Sequence, residues 1–235
     1  MIPSTIKLGS KGEDVKKLQT LLGNLVVDGI FGKKTKSSVM AYQAANSLSV
    51  DGIVGANTWS KLLGITPSTA TYIKPVDYKQ YDSKWASVMY SNHGDKKQTI
   101  KSSGCGLTAM ADIVATLING TVTPVTLCDK ALKWGDRSYS NGTNWSFFKH
   151  IQAEYGFSKM VQTTSLSTLK SCLDTGGYAV CSMSKGYWTN GGHYITAWKY
   201  DDTYVYCNDP ASSTRVKQKQ SEFVSQRKAF FCFWK

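Results

Sequence analysis

The sequence predicts two domains, a small all-α unit of three short helices followed by a larger α+β unit that closes on an antiparallel sheet. Three observations carry this prediction. A six-residue pattern occurs twice near the start at an offset of 23 residues, each copy ahead of a helix-spaced apolar run. A Ser/Thr stretch with one proline then breaks all apolar periodicity over 65–71. Beyond it, apolar residues recur at helical spacing up to Gly176 and alternate with period two from Tyr178 onward. The boundaries read from these breaks are 1–65, 66–72 for the linker, and 73–235.

In the first unit, Val15, Leu18, Leu21 and Leu22 mark a helix, with Ser10 and Glu13 spaced as a capping box before it. The repeats are Val27-Asp28-Gly29-Ile30-Phe31-Gly32 and Val50-Asp51-Gly52-Ile53-Val54-Gly55. Each reads as a turn into a helix, with Thr35 or Thr58 as N-cap. The second helix is expected to bury Val39, Tyr42 and Ala45. The third carries Trp59, Leu62 and Leu63, and Gly64 stops it.

In the second unit, Gly104-Cys105-Gly106 precedes a helix marked by Leu107, Met110, Ala111, Val114, Leu117 and Ile118. Thr123-Pro124 opens the next, since proline is tolerated at the first helical position. Asn144 is expected to cap a third that ends at Gly156, and a fourth carries Leu166, Leu169 and Leu173. Strands are expected at Tyr178–Met183, His193–Tyr200, Thr203–Cys207 and Ala229–Trp234.

Composition narrows the function classes. With 41% hydrophobic and 19% charged residues in a chain of 235, the protein can build sizeable cores. No apolar run approaches a membrane span, and the N-terminal residues lack a signal-peptide apolar segment, so synthesis in the cytoplasm without a cleaved signal is expected. The net charge of +12 is diffuse, and no nucleic-acid motif accompanies it, so a polyanion such as an acidic wall remains open as partner. The only glutamates are Glu13, Glu154 and Glu222, which offers no glycosidase carboxylate pair. Three scattered histidines, His93, His150 and His193, provide no zinc-ligand spacing, so no metal or cofactor is expected.

Of the six cysteines, Cys128 and Cys172 fall in helix-like runs and Cys181, Cys207 and Cys232 in strand-like runs, where they read as buried thiols. Cys105 differs. At a helix start, unpaired N–H groups and the macrodipole favour the thiolate, the nucleophilic form of cysteine. Its two glycine neighbours would let a substrate backbone approach. Strand parity brings a base into play. If β-pairing sets His193 opposite Asp209, Ile195 opposite Cys207 and Ala197 opposite Val205, the apolar positions share one face, with an imidazole beside a carboxylate at its end. Asn208 then lies on the opposite face. Cysteine, histidine and orienting carboxylate form the thiol version of the nucleophile–base–orienter triad. His93 reads as a loop residue and His150 as a surface or partly buried one. For the oxyanion donor, chain proximity favours Gln98, whereas Tyr78, Tyr81 and Trp85 can shield Gln80 from water.

Two resemblances follow from these residues. Leu8-Gly9-Ser10, Val15, Leu18-Gln19 and Leu22, the two repeats, Thr35, Tyr42-Gln43 and Thr58-Trp59 look like the peptidoglycan-binding domain of bacterial and phage wall hydrolases, over about residues 6–64. That resemblance implies a wall-binding, non-catalytic module. Tyr78-x-Gln80-x-Asp82-x-x-Trp85, Thr99-Ile100, Gly104-Cys105-Gly106, Gly192-His193-Tyr194-Ile195 and Asn208-Asp209-Pro210 resemble the peptidase C39-like family, over about residues 73–235. It implies a papain-like fold with Cys105 as nucleophile, His193 as base, Asp209 as orienter and Gln80 as oxyanion-hole donor. Together the two imply an endolysin-like enzyme, monomeric and free of cofactors, that acts on peptidoglycan after release from a bacterial host. Cleavage of a stem or cross-bridge peptide bond is the first expectation. Cleavage of the muramoyl–alanine amide, or wall binding by a chain with a dead site, are the alternatives.

Overall fold

The computed structural model describes residues 3–64, 71–140 and 142–235. The chain divides into two compact units, Met1–Thr69 and Ala70–Lys235. Most of the stretch read as a linker lies outside the described residues.

The first unit holds helices α1 (Glu13–Leu22), α2 (Lys33–Ala45) and α3 (Ala56–Leu62). Ile6, Val15, Leu18, Phe31, Val39, Val54 and Trp59 form its core. Two buried glutamines explain the repeat. The Gln19 amide donates to Asp28 Oδ1 (2.7 Å) and the Ile30 carbonyl (3.1 Å), and its oxygen accepts from the Gly29 N–H (2.9 Å). Gln43 does the same with Asp51, Ile53 and Gly52, at 2.9 Å in each case. Each turn is therefore held by one side chain that satisfies three groups at once, leaving no amide orphaned in a core too small to tolerate one.

Several local expectations are corrected here. Gly32 and Gly55 stand at the N-cap positions, while Thr35 and Thr58 lie inside their helices, buried against the glutamines. Ser10 accepts a bond from the Lys7 N–H instead of capping α1, whose N-cap is Gly12. Tyr42 is only half-buried, and Leu21 and Ala45 are exposed.

The second unit contains α4 (Ile100–Ser103), α5 (Cys105–Leu117), α6 (Pro124–Lys133), α7 (Ser146–Glu154), α8 (Leu166–Asp174) and α9 (Gln220–Ser225). Its strands are β1 (Lys159–Thr163), β2 (Tyr178–Met183), β3 (His193–Tyr200), β4 (Tyr204–Asn208), β5 (Lys217–Lys219) and β6 (Arg227–Trp234). They form one sheet in the order β1-β6-β2-β3-β4-β5, antiparallel at every pairing. One face packs Val180, Tyr194, Phe231 and Phe233 against Leu107, Met110, Ile113, Leu127 and Phe148 from the helices. The other packs Cys181, Ile195, Ala197, Cys207 and Phe230 against Leu169, Cys172 and Phe223. With both faces covered, β2 is buried along its whole length.

Thr123 caps α6 with a capping box to Thr126, as Thr-Pro predicts. Trp145, not Asn144, holds the N-cap position of α7. Strands β1 and β5 escape the period-two signal because they form the sheet edges, β1 with a mixed burial pattern and β5 with only three residues.

Candidate active site

Cys105 is the first residue of α5, a helix whose residues Gly106 through Ala115 are all buried. The thiol is thus anchored by a rod running through the core. Thr99 and Ser102 close a capping box on α4, and Gly104 turns the chain directly into α5. A Cβ on Gly104 would stand 2.6 Å from the Ile100 carbonyl oxygen, and one on Gly106 would stand 2.8 Å from Thr143 and 3.1 Å from Tyr194. Both glycines therefore admit the protein's own groups. This corrects the expectation that they make room for a substrate.

His193 opens β3, and its Nε2 lies 2.7 Å from Asp209 Oδ1. The other ring nitrogen is left for Cys105, whose thiol lines the same cleft as the imidazole and is electrostatically coupled to it. The pairing that delivers Asp209 differs from the expected one. Thr196 faces Asn208 and Ala197 faces Cys207, with a register shift between Ala197 and Lys199. On the site side of the shift the slip is two residues, so face parity survives there and His193 still meets Asp209 across the strand end, whereas beyond the shift the slip is three.

Electrostatics favour a charged pair. Burial alone would raise the Cys105 thiol, but the bond and charge of His193, with the Tyr194 and Gly106 N–H groups, bring it below the usual thiol range. Burial alone would lower His193, but Asp209 and Cys105 push it up to about 9. Asp209, despite complete burial, is held below its ordinary range by His193, by Arg215 and by the Ala211 N–H. Arg215 Nε sits 2.6 Å from Asp209 Oδ2, and Lys79 Nζ donates to the Asp209 carbonyl at 2.9 Å.

The two competing glutamines fall in different places. Gln80 is buried and not among the residues that line the cleft, its N–H donating to the Pro210 carbonyl (2.9 Å) and its Nε2 to the Lys101 carbonyl (2.5 Å). Its Oε1 has no hydrogen-bond partner among the described residues. Gln98 braces a loop. Its Oε1 accepts from Arg137 Nη2 at 2.7 Å, while buried Arg137 also holds the carbonyls of Tyr90, Ser138 and Gly142. That loop carries Thr143 and Asn144 into a cleft of about 720 Å³, to which Ser102, Cys105, Trp145, Gly192, His193 and Lys228 also contribute.

Sequence reasoning missed Arg215, Arg137 and Asp112. Asp112, wholly buried on α5, accepts from the Tyr78 N–H (2.8 Å), Thr196 Oγ1 (3.0 Å) and Asn208 Nδ2 (3.5 Å), and burial pushes its carboxyl well above the usual range. It ties α5 to β3 and β4, the strands that carry His193 and lead to Asp209. An acidic residue among Ala111, Ile113 and Val114 was the available signal. His150 pairs with Asp136 at 2.7 Å, away from Cys105, and His93 stacks on Tyr139. No cluster of three or more His, Cys, Asp or Glu suited to a metal occurs among the described residues.

Against known families, residues 78–234 match the model of the Peptidase_C39 like family. The chain belongs to that family. Residues 11–62 match a peptidoglycan-binding domain model, so this member joins a peptidoglycan-binding domain to a C39-like peptidase domain. The zinc D-Ala-D-Ala carboxypeptidase of Streptomyces albus G is 33% identical over 94 residues, covering 35% of this chain and 36% of that protein. An uncharacterised protein of Kitasatospora aureofaciens is 46% identical over 57 residues, covering 22% of this chain and 48% of its own. The chain thus spans less than half the length of these curated relatives. Among solved structures, the Burkholderia AP3 phage endolysin is 39% identical over 29% of this chain and 28% of its own, with a TM-score of 0.27. A C39-like peptidase from Bacillus anthracis is 17% identical and covers 63% of this chain and 94% of its own, with a TM-score of 0.43. No helix among the described residues is long and apolar enough to cross a membrane.

Proposed function

We propose that the protein is a peptidoglycan hydrolase of cysteine-peptidase type, cutting a peptide bond of the wall stem or cross-bridge. The observation that carries this reading is the Cys105–His193–Asp209 constellation at an open cleft, on a chain that also carries a peptidoglycan-binding domain.

The thiolate of Cys105 attacks the amide carbonyl carbon, and the electron pair of the C=O bond moves to oxygen. Gln80 supplies an oxyanion donor through the amide N–H that Lys101 does not occupy. Collapse of the tetrahedral intermediate breaks the C–N bond, and His193 gives its proton to the leaving amine. Water then attacks the thioester, His193 takes a proton from it, and the acid is released as Cys105 is regenerated. Asp209 keeps the imidazole oriented and offsets its charge throughout. The peptidoglycan-binding domain concentrates the enzyme on its insoluble substrate.

Mass spectrometry of fragments released from purified peptidoglycan tests this reading. New amino termini within stem or cross-bridge peptides are expected. Release of intact stems from glycan would instead make the enzyme a muramoyl–alanine amidase, and no release would leave a wall-binding protein.

A further inference from the structure

We infer that Lys228 forms a carboxylate-binding subsite in this cleft, holding a free carboxylate of the peptide whose neighbouring amide faces Cys105. The inference rests on the peptidase reading above and adds the charge class of its substrate.

Strand β6 explains why Lys228 reaches the cleft. Ser182 pairs with Ala229, but the next residue of β2, Met183, pairs with Arg227. Lys228 is the extra residue of a β-bulge, skipped by the ladder. The rest of β6 alternates regularly, with Ala229, Phe231 and Phe233 in the core shared with α5, and Phe230 and Cys232 in the opposite one. Regular alternation would have sent Lys228 to the side of Phe230, away from α5. The bulge turns it into the cleft wall instead, a re-aiming that bulges commonly provide beside active sites.

Position and charge point the same way. A Cβ on Gly192 would stand 3.7 Å from Lys228 Nζ, so the ammonium lies over the residue that immediately precedes His193. Among the described residues, no Asp or Glu contributes to the cleft wall, and Lys228 is the one lysine or arginine that does. A surface lysine is ordinarily just solvated. This one stands in the same cleft as the nucleophile, where, among the described residues, an incoming anion meets no competing carboxylate. The occupant must present an acyl carbon to Cys105. An anion held at Lys228 while an acyl carbon faces Cys105 therefore belongs to the same peptide. Stem peptides of peptidoglycan carry such carboxylates, free or amidated.

Binding of two synthetic stem peptides, one with free carboxylates and one with every carboxylate amidated, is measured by calorimetry on the full chain carrying Cys105→Ala. The free acid is expected to bind about tenfold more tightly, as a charge-assisted bond implies. Adding Lys228→Gln should bring the two affinities together, and Lys228→Arg should keep them apart. Lys149→Gln, an equal charge change outside the cleft, should leave the preference intact. Equal affinities in the parent, a preference that survives Lys228→Gln, or an equal loss in Lys149→Gln would overturn the subsite. Because binding is read without turnover, a preference that depends on Lys228 in a protein that cuts no wall peptide would refute the peptidase reading while the subsite stood.

Discussion

Arg215 and His193 share one carboxylate: Arg215 Nε binds Asp209 Oδ2 at 2.6 Å, and His193 Nε2 binds Oδ1 at 2.7 Å. The guanidinium fixes the plane of the carboxylate, and the carboxylate fixes the plane of the imidazole. Asp209→Asn should lower turnover by about 10²–10⁴ with the fold retained. Arg215→Ala should cost less, about tenfold, because Asp209 keeps the Ala211 N–H (2.8 Å) and its own bond to the imidazole. Steady-state kinetics on a soluble stem peptide check both, and an Arg215→Ala effect as large as that of Asp209→Asn would make the arginine more than a brace.

The charged pair predicts a bell-shaped dependence of kcat/KM on pH. The active form needs Cys105 deprotonated and His193 protonated. Its acid limb falls below the ordinary thiol pKa of about 8.5, since the thiol is shifted down. Its alkaline limb falls near 9, where His193 loses its proton. Alkylation of Cys105 by iodoacetamide should rise with the acid limb alone. A thiol that reacts only above pH ~8.5 would contradict the pair.

Cys105 should be alkylated ahead of the other five thiols. Those five are buried, and burial raises Cys128 to about 12 and pushes Cys181 and Cys207 upward. For Cys172 the bond with Cys232, and after it burial, raises the thiol. Peptide mapping of native protein after brief labelling reads the order directly. Early labelling of Cys128 or Cys172 would show that the native core opens faster than the site reacts.

Asn208 tests how the strands are tied to α5. Parity puts it on the face opposite Asp209 and so makes it look dispensable. The structure buries it, with Nδ2 bonded to the Val76 carbonyl at 3.0 Å and directed at Asp112. Asn208→Ala should therefore cost about 1–3 kcal/mol of stability by taking the side-chain donor from the Val76 carbonyl and one of three donors from Asp112. Denaturant unfolding measures it, and a variant as stable as wild type would show that the tie is redundant.

Most of the architecture is legible in the residues because hydrophobic period and chemistry agree there. Leu107, Met110 and Val114 mark α5, and the alternation of His193–Tyr200 and Tyr204–Asn208 brings an imidazole to a carboxylate. Parity survives a two-residue slip, so the pair was readable although its register was not. Arg215 was not readable, because it lies on an irregular return between β4 and β5 where no period constrains direction. The bulge that turns Lys228 was hidden for a related reason, since a single extra residue leaves the composition of a strand unchanged. The roles of Thr35 and Thr58 were misplaced because their hydroxyls face a buried glutamine of the preceding helix instead of capping their own.

The central claim is that Cys105 performs the chemistry on a wall that the chain binds by other means. It is tested most directly by giving wild type and Cys105→Ala the same purified peptidoglycan and measuring cosedimentation and soluble fragment release together. The account predicts equal cosedimentation of the two proteins and fragment release by wild type alone. Fragment release by Cys105→Ala at the wild-type rate would contradict it.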